Sequence, residues 1–210
     1  MKPSAARRGQ ICAGLICLLV SGCLFKPTTV KTRSFVLAPL STSSGAPASK
    51  DPRSIGVGLV KLPPYLLRTS IAVRKDTHEL EYLEASLWAD RLDGALQRTL
   101  AANLSVLVPT DRIRLSTWSN AYVELAVFVS VEQFDVDAQG RGTLIAWWRI
   151  TTPSGDRTLK NGLAHLQRPG PSPYTHPEAI ATTLSELTAE LSETLAAAIQ
   201  ESVRPEARAK

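Results

Sequence analysis

Cysteine is scarce in this chain of 210 residues, occurring only as Cys12, Cys17 and Cys23. Cys12 and Cys17 lie in an apolar N-terminal run, so Cys23 is the one thiol of the remaining chain, and a disulfide or a cysteine-ligated metal is excluded there. Histidine is equally sparse. His78, His165 and His176 lie far apart, and none has a second histidine at the His-x-x-x-His spacing of a metal site. No Gly-x-Ser-x-Gly elbow and no phosphate-cradling glycine loop is present; Gly56-Val57-Gly58 sits in a strand pattern and lacks a third glycine. These absences argue against an enzyme, a metal and any cofactor. Long hydrophobic runs are missing too. Ile11 to Val20 is an apolar stretch of about ten residues, whereas a membrane-spanning helix needs roughly 20.

Acids are absent from the first ten residues, which carry Lys2, Arg7 and Arg8 ahead of that stretch. A basic segment followed by a short apolar one has the form of a cleavable secretory signal. The run ends in Val20-Ser21-Gly22-Cys23, which resembles the bacterial lipobox: a branched residue, two small residues, then the cysteine that becomes the new N-terminus. The resemblance implies cleavage of residues 1–22 and acylation of Cys23, with chains such as palmitate. The alternative is an ordinary cleavage site beside a chance cysteine, but the motif stands directly after the apolar run. Leu24 follows the cysteine where sorting rules for retention would place Asp, which implies release to the outer membrane. Loss of the three basic residues with the signal lowers the formal charge from +5 to 5 − 3 = +2. No Lys/Arg cluster interleaved with aromatics remains, so nucleic acid is not an expected partner.

The chain from Cys23 to Lys210 is long enough for one domain with a substantial core. Residues 23–32 read as a lipidated tether, 33–203 as the domain and 204–210 as a disordered tail. Ser41 to Arg53, rich in Ser, Ala, Pro and Gly, reads as a loop within the domain. Strand patterns occupy Ser34 to Leu40, Ile55 to Lys61, Ile71 to Lys75 and Glu79 to Glu84. Helical spacing of Trp88, Leu92, Leu96 and Leu100 predicts a helix over Ser86 to Asn103. After a short strand near Ile113 to Leu115, Val123, Leu125, Val127, Val129 and Val131 alternate with Glu124, Ser130 and Glu132, a long half-buried strand within Ala121 to Asp137. A turn over Asp137 to Gly142 leads to strands at Thr143 to Ile150 and Thr158 to Gln167. Pro177 to Ser202 carries Ile180, Leu184, Leu187, Leu191, Leu195 and Ile199 as one helical stripe, for core packing or, in its last turns, for a partner. The expected architecture is a single α/β domain: a mixed, mostly antiparallel sheet with a mid-chain helix and a long C-terminal helix packed on it.

Few residues invite a functional reading. Asp90 and Asp93 sit one helical turn apart and could form an acid/base pair, but a solvated helix face accounts for them better. Pro63 and Pro64 stiffen a turn that presents Tyr65 and Leu66 either to a partner or to the core. Trp147 and Trp148 must point to opposite faces of a strand; Trp148 shares its face with Leu144, Ala146 and Ile150 and is assigned to the core. Trp147 shares the wetter face with Thr143, Ile145 and Arg149. Pro63, Pro64, Tyr65, Leu66 and Trp147 are therefore the candidate partner interface.

Several short patterns together resemble those of the ABC-type transport auxiliary lipoproteins, the group that includes the paraquat-inducible protein C type. They are the early strand Ser34-Phe35-Val36-Leu37, the segment Ile55-Gly56-Val57-Gly58-Leu59-Val60-Lys61-Leu62-Pro63-Pro64-Tyr65-Leu66, and Trp88-Ala89-Asp90-Arg91-Leu92 followed by Leu96, Leu100 and Asn103-Leu104. Phe35 replaces a tyrosine and Asp90 a glutamate of the family pattern. The resemblance implies a compact α/β domain working beside a permease, an ATPase and a periplasmic protein with mammalian-cell-entry (MCE) domains, in systems that move lipids between the two membranes. The expected role is to dock that MCE protein onto the outer membrane. The alternative is a carrier holding lipid in a cleft between its sheet and its C-terminal helix. Association into a homo-oligomer is left open.

Overall fold

Extended and helical segments follow one another largely in the order that the apolar spacing sets. A computed structural model describes residues 31–41, 53–108, 110, 112–115 and 123–202. Its strands are β1 (Arg33–Phe35), β2 (Ile55–Val57), β3 (Ser70–Arg74), β4 (Leu80–Trp88), β5 (Ile113–Leu115), β6 (Leu125–Asp137), β7 (Gly142–Thr151) and β8 (Thr158–Arg168). Among the described residues the helices are α1 (Leu92–Leu107) and α2 (Pro177–Glu201), with one 3-10 turn at Pro64–Leu67. The signal, Cys23, the tether up to residue 30, most of the Ser41 to Arg53 loop and the tail lie outside the described residues.

Strand β6 is the spine of the eight-stranded sheet. Antiparallel β7 runs along one of its edges and carries β8 beyond it. The other edge is shared: β2 pairs in parallel at Leu125–Val127 and β3 in parallel at Val136–Asp137. Beyond these lie β5, beside β2, and β4 with β1, beside β3. The parallel ladders span two or three residue pairs each and the antiparallel ones five to ten, so the sheet is mixed and mostly antiparallel.

Both helices lie on one face and touch each other. All six residues of the α2 stripe, Ile180 to Ile199, are buried, so its last turns are committed to the core along with the rest. Each such side chain contributes about 1.5–3 kcal/mol by leaving water. Between the helices runs a buried polar chain. The Leu40 N–H donates to Asn103 Oδ1 at 2.7 Å, Asn103 Nδ2 to Ser192 Oγ at 3.0 Å, and Ser192 Oγ to the Thr188 carbonyl at 2.7 Å. Satisfying every member lets this polar path sit in an apolar layer.

Several expected boundaries move: the strand expected at Ile55 to Lys61 ends at Val57, and the one expected at Glu79 to Glu84 runs on to Trp88. The first strand stops at Phe35, because the chain then leaves β4 to lie on the helices, where Ala38 N–H meets Ser185 Oγ at 3.0 Å. The mid-chain helix begins at Leu92, not Ser86: Ser86, Leu87 and Trp88 are extended and pair with β1. Trp88-Ala89-Asp90-Arg91-Leu92 is thus a strand-to-helix corner, closed by the Ala89 N–H on the Phe35 carbonyl at 2.9 Å.

Candidate protein interface on the open face of the sheet

A register shift in β6 between Val131 and Gln133 leaves Glu132 unpaired. Up to Val131 the odd positions face the helices; beyond it Phe134 and Val136 do. One extra residue reverses which side chains face outward. Phe128, Ser130, Gln133 and Asp135 therefore share the face that carries no helix among the described residues, as do Ile145, Trp147 and Arg149 of β7 and Asn161 and Leu163 of β8.

Register aligns Lys61, Ser130, Trp147 and Leu163 in one row across the sheet. Trp147 is 54% exposed, Leu163 50% and nearby Leu59 56%, values that define an apolar patch on an otherwise polar face. A shallow groove of about 360 Å³ runs through it, lined by Leu59, Lys61, Phe128, Trp147, Arg149 and Asn161 among others. The Trp147 Nε1 donates to Glu132 Oε1 at 3.0 Å, so the bulge residue sets the indole's tilt. Phe128 can lie flat because Gly58 has no side chain: a Cβ there would come within 2.7 Å of its ring. The Arg149 guanidinium sits 5.0 Å from the Phe128 ring centre. Gly56 and Val57 are thus strand, as the sequence reads, while Gly58 follows the strand's end and keeps only its N–H on the Val127 carbonyl, at 2.9 Å.

The proline turn divides its side chains. Pro64 opens the 3-10 turn, a position that suits proline, and the Leu66 N–H closes it on the Pro63 carbonyl at 3.0 Å. Leu66 is 4% exposed within the core, while Pro64 and Leu67 remain on the surface. Tyr65 is half-buried and donates its hydroxyl to Asp135 Oδ2 at 2.8 Å. Asp135, 2% exposed, also accepts from Arg74 Nη2 at 2.8 Å, Arg74 Nε at 3.2 Å and Gln133 Nε2 at 2.8 Å. Burial, reinforced by the Asp135 charge, pushes the Tyr65 phenol well above its ordinary range. The turn meets β6 at Asp135 and Trp147 meets it at Ser130, so the candidate residues form two neighbourhoods, not one.

Leu59, Lys61, Phe128, Arg149 and Leu163 were not singled out in the sequence. A signal for two of them existed: Phe128 shares its strand parity with Glu124 and Ser130, and Leu163 with Asn161 and His165, so each is an apolar residue in a polar series. Elsewhere, Asp90 pairs with Arg98 on the surface. Asp93 departs from the solvated-face reading because Arg91 covers it, with Nη2 2.7 Å from Oδ2. That hydrogen bond holds the Asp93 carboxyl below its usual value. Both acids stabilise the corner. Among the described residues no group of three or more His, Cys, Asp or Glu could hold a metal ion, and no helix is long and apolar enough to cross a membrane.

These features define a two-layer α/β domain with helices on one face and an apolar, cation-rimmed patch on the other. Residues 35–196 match the family of ABC-type transport auxiliary lipoprotein components, and the chain belongs to that family. It is accordingly a membrane-associated, periplasm-facing accessory of an ABC transport system, in a family not known for enzymes. Among solved structures, an uncharacterized protein is similar at TM-score 0.65 and 22% identity, covering 80% of this chain and 99% of its own. A Xanthomonas campestris protein of the DUF330 family is similar at TM-score 0.68 and 15% identity, covering 83% of this chain and 100% of its own. At such identities the likeness shows the fold. No curated protein matches the chain.

Proposed function

We propose that the chain is held in the outer membrane by acyl groups on Cys23 and docks there the MCE-domain protein of its transport system. The observation that carries this reading is the uncovered row Lys61, Ser130, Trp147 and Leu163 with Leu59 and Phe128 beside it, on a domain whose other sheet face is sealed by helices. An exposed indole amid aliphatic and cationic side chains has the composition of a protein contact. The lipobox at Val20 to Cys23 and Leu24 after it support the anchor and its membrane. A carrier with lipid between sheet and C-terminal helix has less support, because the α2 stripe is closed onto the sheet along its length.

Formaldehyde crosslinking of intact cells, followed by purification of the tagged, acylated chain, tests this. Mass spectrometry should identify an MCE-domain protein in the adduct. Adducts with abundant envelope proteins alone would overturn the proposal.

A further inference from the structure

We infer that the open sheet face takes an acidic polypeptide segment with an apolar anchor, the anchor seated against Trp147 and carboxylates reaching Lys61 and Arg149. This rests on the docking role proposed above and names the chemistry of the partner at that face.

Three observations converge. Leu59, Phe128, Trp147 and Leu163 supply an apolar centre large enough to bury one or two side chains. Lys61 and Arg149 flank it, and neither forms an ion pair among the described residues. Glu132, the carboxylate beside Trp147, is oriented by the indole N–H and forms no ion pair with either cation, so two cations stand against one acid at the patch. An apolar centre whose rim carries a net positive charge selects a partner of opposite sign, which steers association and fixes register. Groove volume argues against a diacyl lipid: about 360 Å³ is at the low end of small-molecule sites, and the groove is open to solvent where lipid tails need enclosure.

The test places benzoyl-phenylalanine at Leu163 in the full acylated chain, with Thr182 on the exposed side of α2 as the comparison position. Irradiation of intact cells should yield an adduct with the periplasmic protein of the transporter from position 163 and not from 182. That protein's purified periplasmic region should then bind Trp147→Ala at least tenfold more weakly than the parent. Lys61→Glu with Arg149→Glu should weaken binding by a similar factor and flatten its dependence on salt. An adduct from position 182 alone would overturn this inference while leaving the docking role intact. Adducts of position 163 with phospholipid or with a second copy of the chain would overturn it as well, as would unchanged binding after charge reversal. Loss of the transporter adduct from both positions would remove the docking role itself.

Discussion

Trp147 and Trp148, adjacent in β7, stand on opposite sides of the sheet: Trp148 packs on the core over Gly162, while the Trp147 indole is 54% exposed and bonded to Glu132. A Cβ at Gly162 would fall 2.6 Å from the Trp148 ring, so the glycine makes room for it. Trp148→Ala should cost about 3 kcal/mol through the cavity it leaves. Trp147→Ala should cost under about 1 kcal/mol, as for a surface site. Trp148→Phe should cost less than Trp148→Ala, because the buried Trp148 Nε1 has no hydrogen-bond partner to lose. Urea unfolding of the compact unit Thr32–Lys210 ranks the three. A larger loss at Trp147 than at Trp148 would reverse the faces.

Asp135 gathers Tyr65, Arg74 and Gln133 at the point where β3 meets β6. Asp135→Asn should cost about 3 kcal/mol, since it leaves the Arg74 charge without its partner. Tyr65→Phe should cost about 1 kcal/mol at neutral pH, one hydrogen bond. The Tyr65 phenol is raised by burial and by Asp135, so the folded chain keeps a proton that the unfolded chain sheds above about pH 10. Stability should therefore fall as pH rises beyond about 10, and Tyr65→Phe should flatten that fall. Urea midpoints at about pH 9 and about pH 11 measure it. Equal declines in both proteins would contradict the assignment.

Gly140, in the turn between β6 and β7, has φ +95° and its absent Cβ would lie 2.1 Å from the Pro171 carbonyl oxygen. Gly155 also has a positive φ, +77°, but open space around it. Gly140→Ala should therefore lower stability by at least about 2 kcal/mol more than Gly155→Ala, the second reporting backbone strain alone. Thermal unfolding of the pair decides it. Equal losses would mean that the 170–171 segment yields easily.

Local periodicity explains what the sequence disclosed. The α2 stripe and the alternation of Val123 to Val131 depend on neighbours a few positions apart, and both elements were readable. Trp88 was misplaced because its four-residue offset from Leu92 imitates a helix, while its extended backbone is set by pairing with Phe35, some fifty positions away. The parity change at Glu132 was present in Phe134 and Val136 but hidden by the regular run before it. Across the open face, Lys61, Ser130, Trp147 and Leu163 come from four separate segments, and strand register alone makes them a row. Trp147 stands out in the sequence by its contrast with Trp148 and Leu163 by its polar neighbours Asn161 and His165, but nothing local joins them to Lys61 and Ser130.

Density-gradient separation of inner and outer membranes, followed by detection of the MCE-domain protein in cells carrying the parent chain or Cys23→Ala, measures the docking role most directly. Several acyl chains hold a protein firmly, at about 0.8 kcal/mol per buried methylene, and the proposed anchor places them on Cys23. With the parent chain, the MCE-domain protein should be recovered in part with the outer membrane. With Cys23→Ala that share should be lost and the altered chain should leave the outer membrane. An unchanged distribution of the MCE-domain protein, with the altered chain demonstrably released, would contradict the docking role.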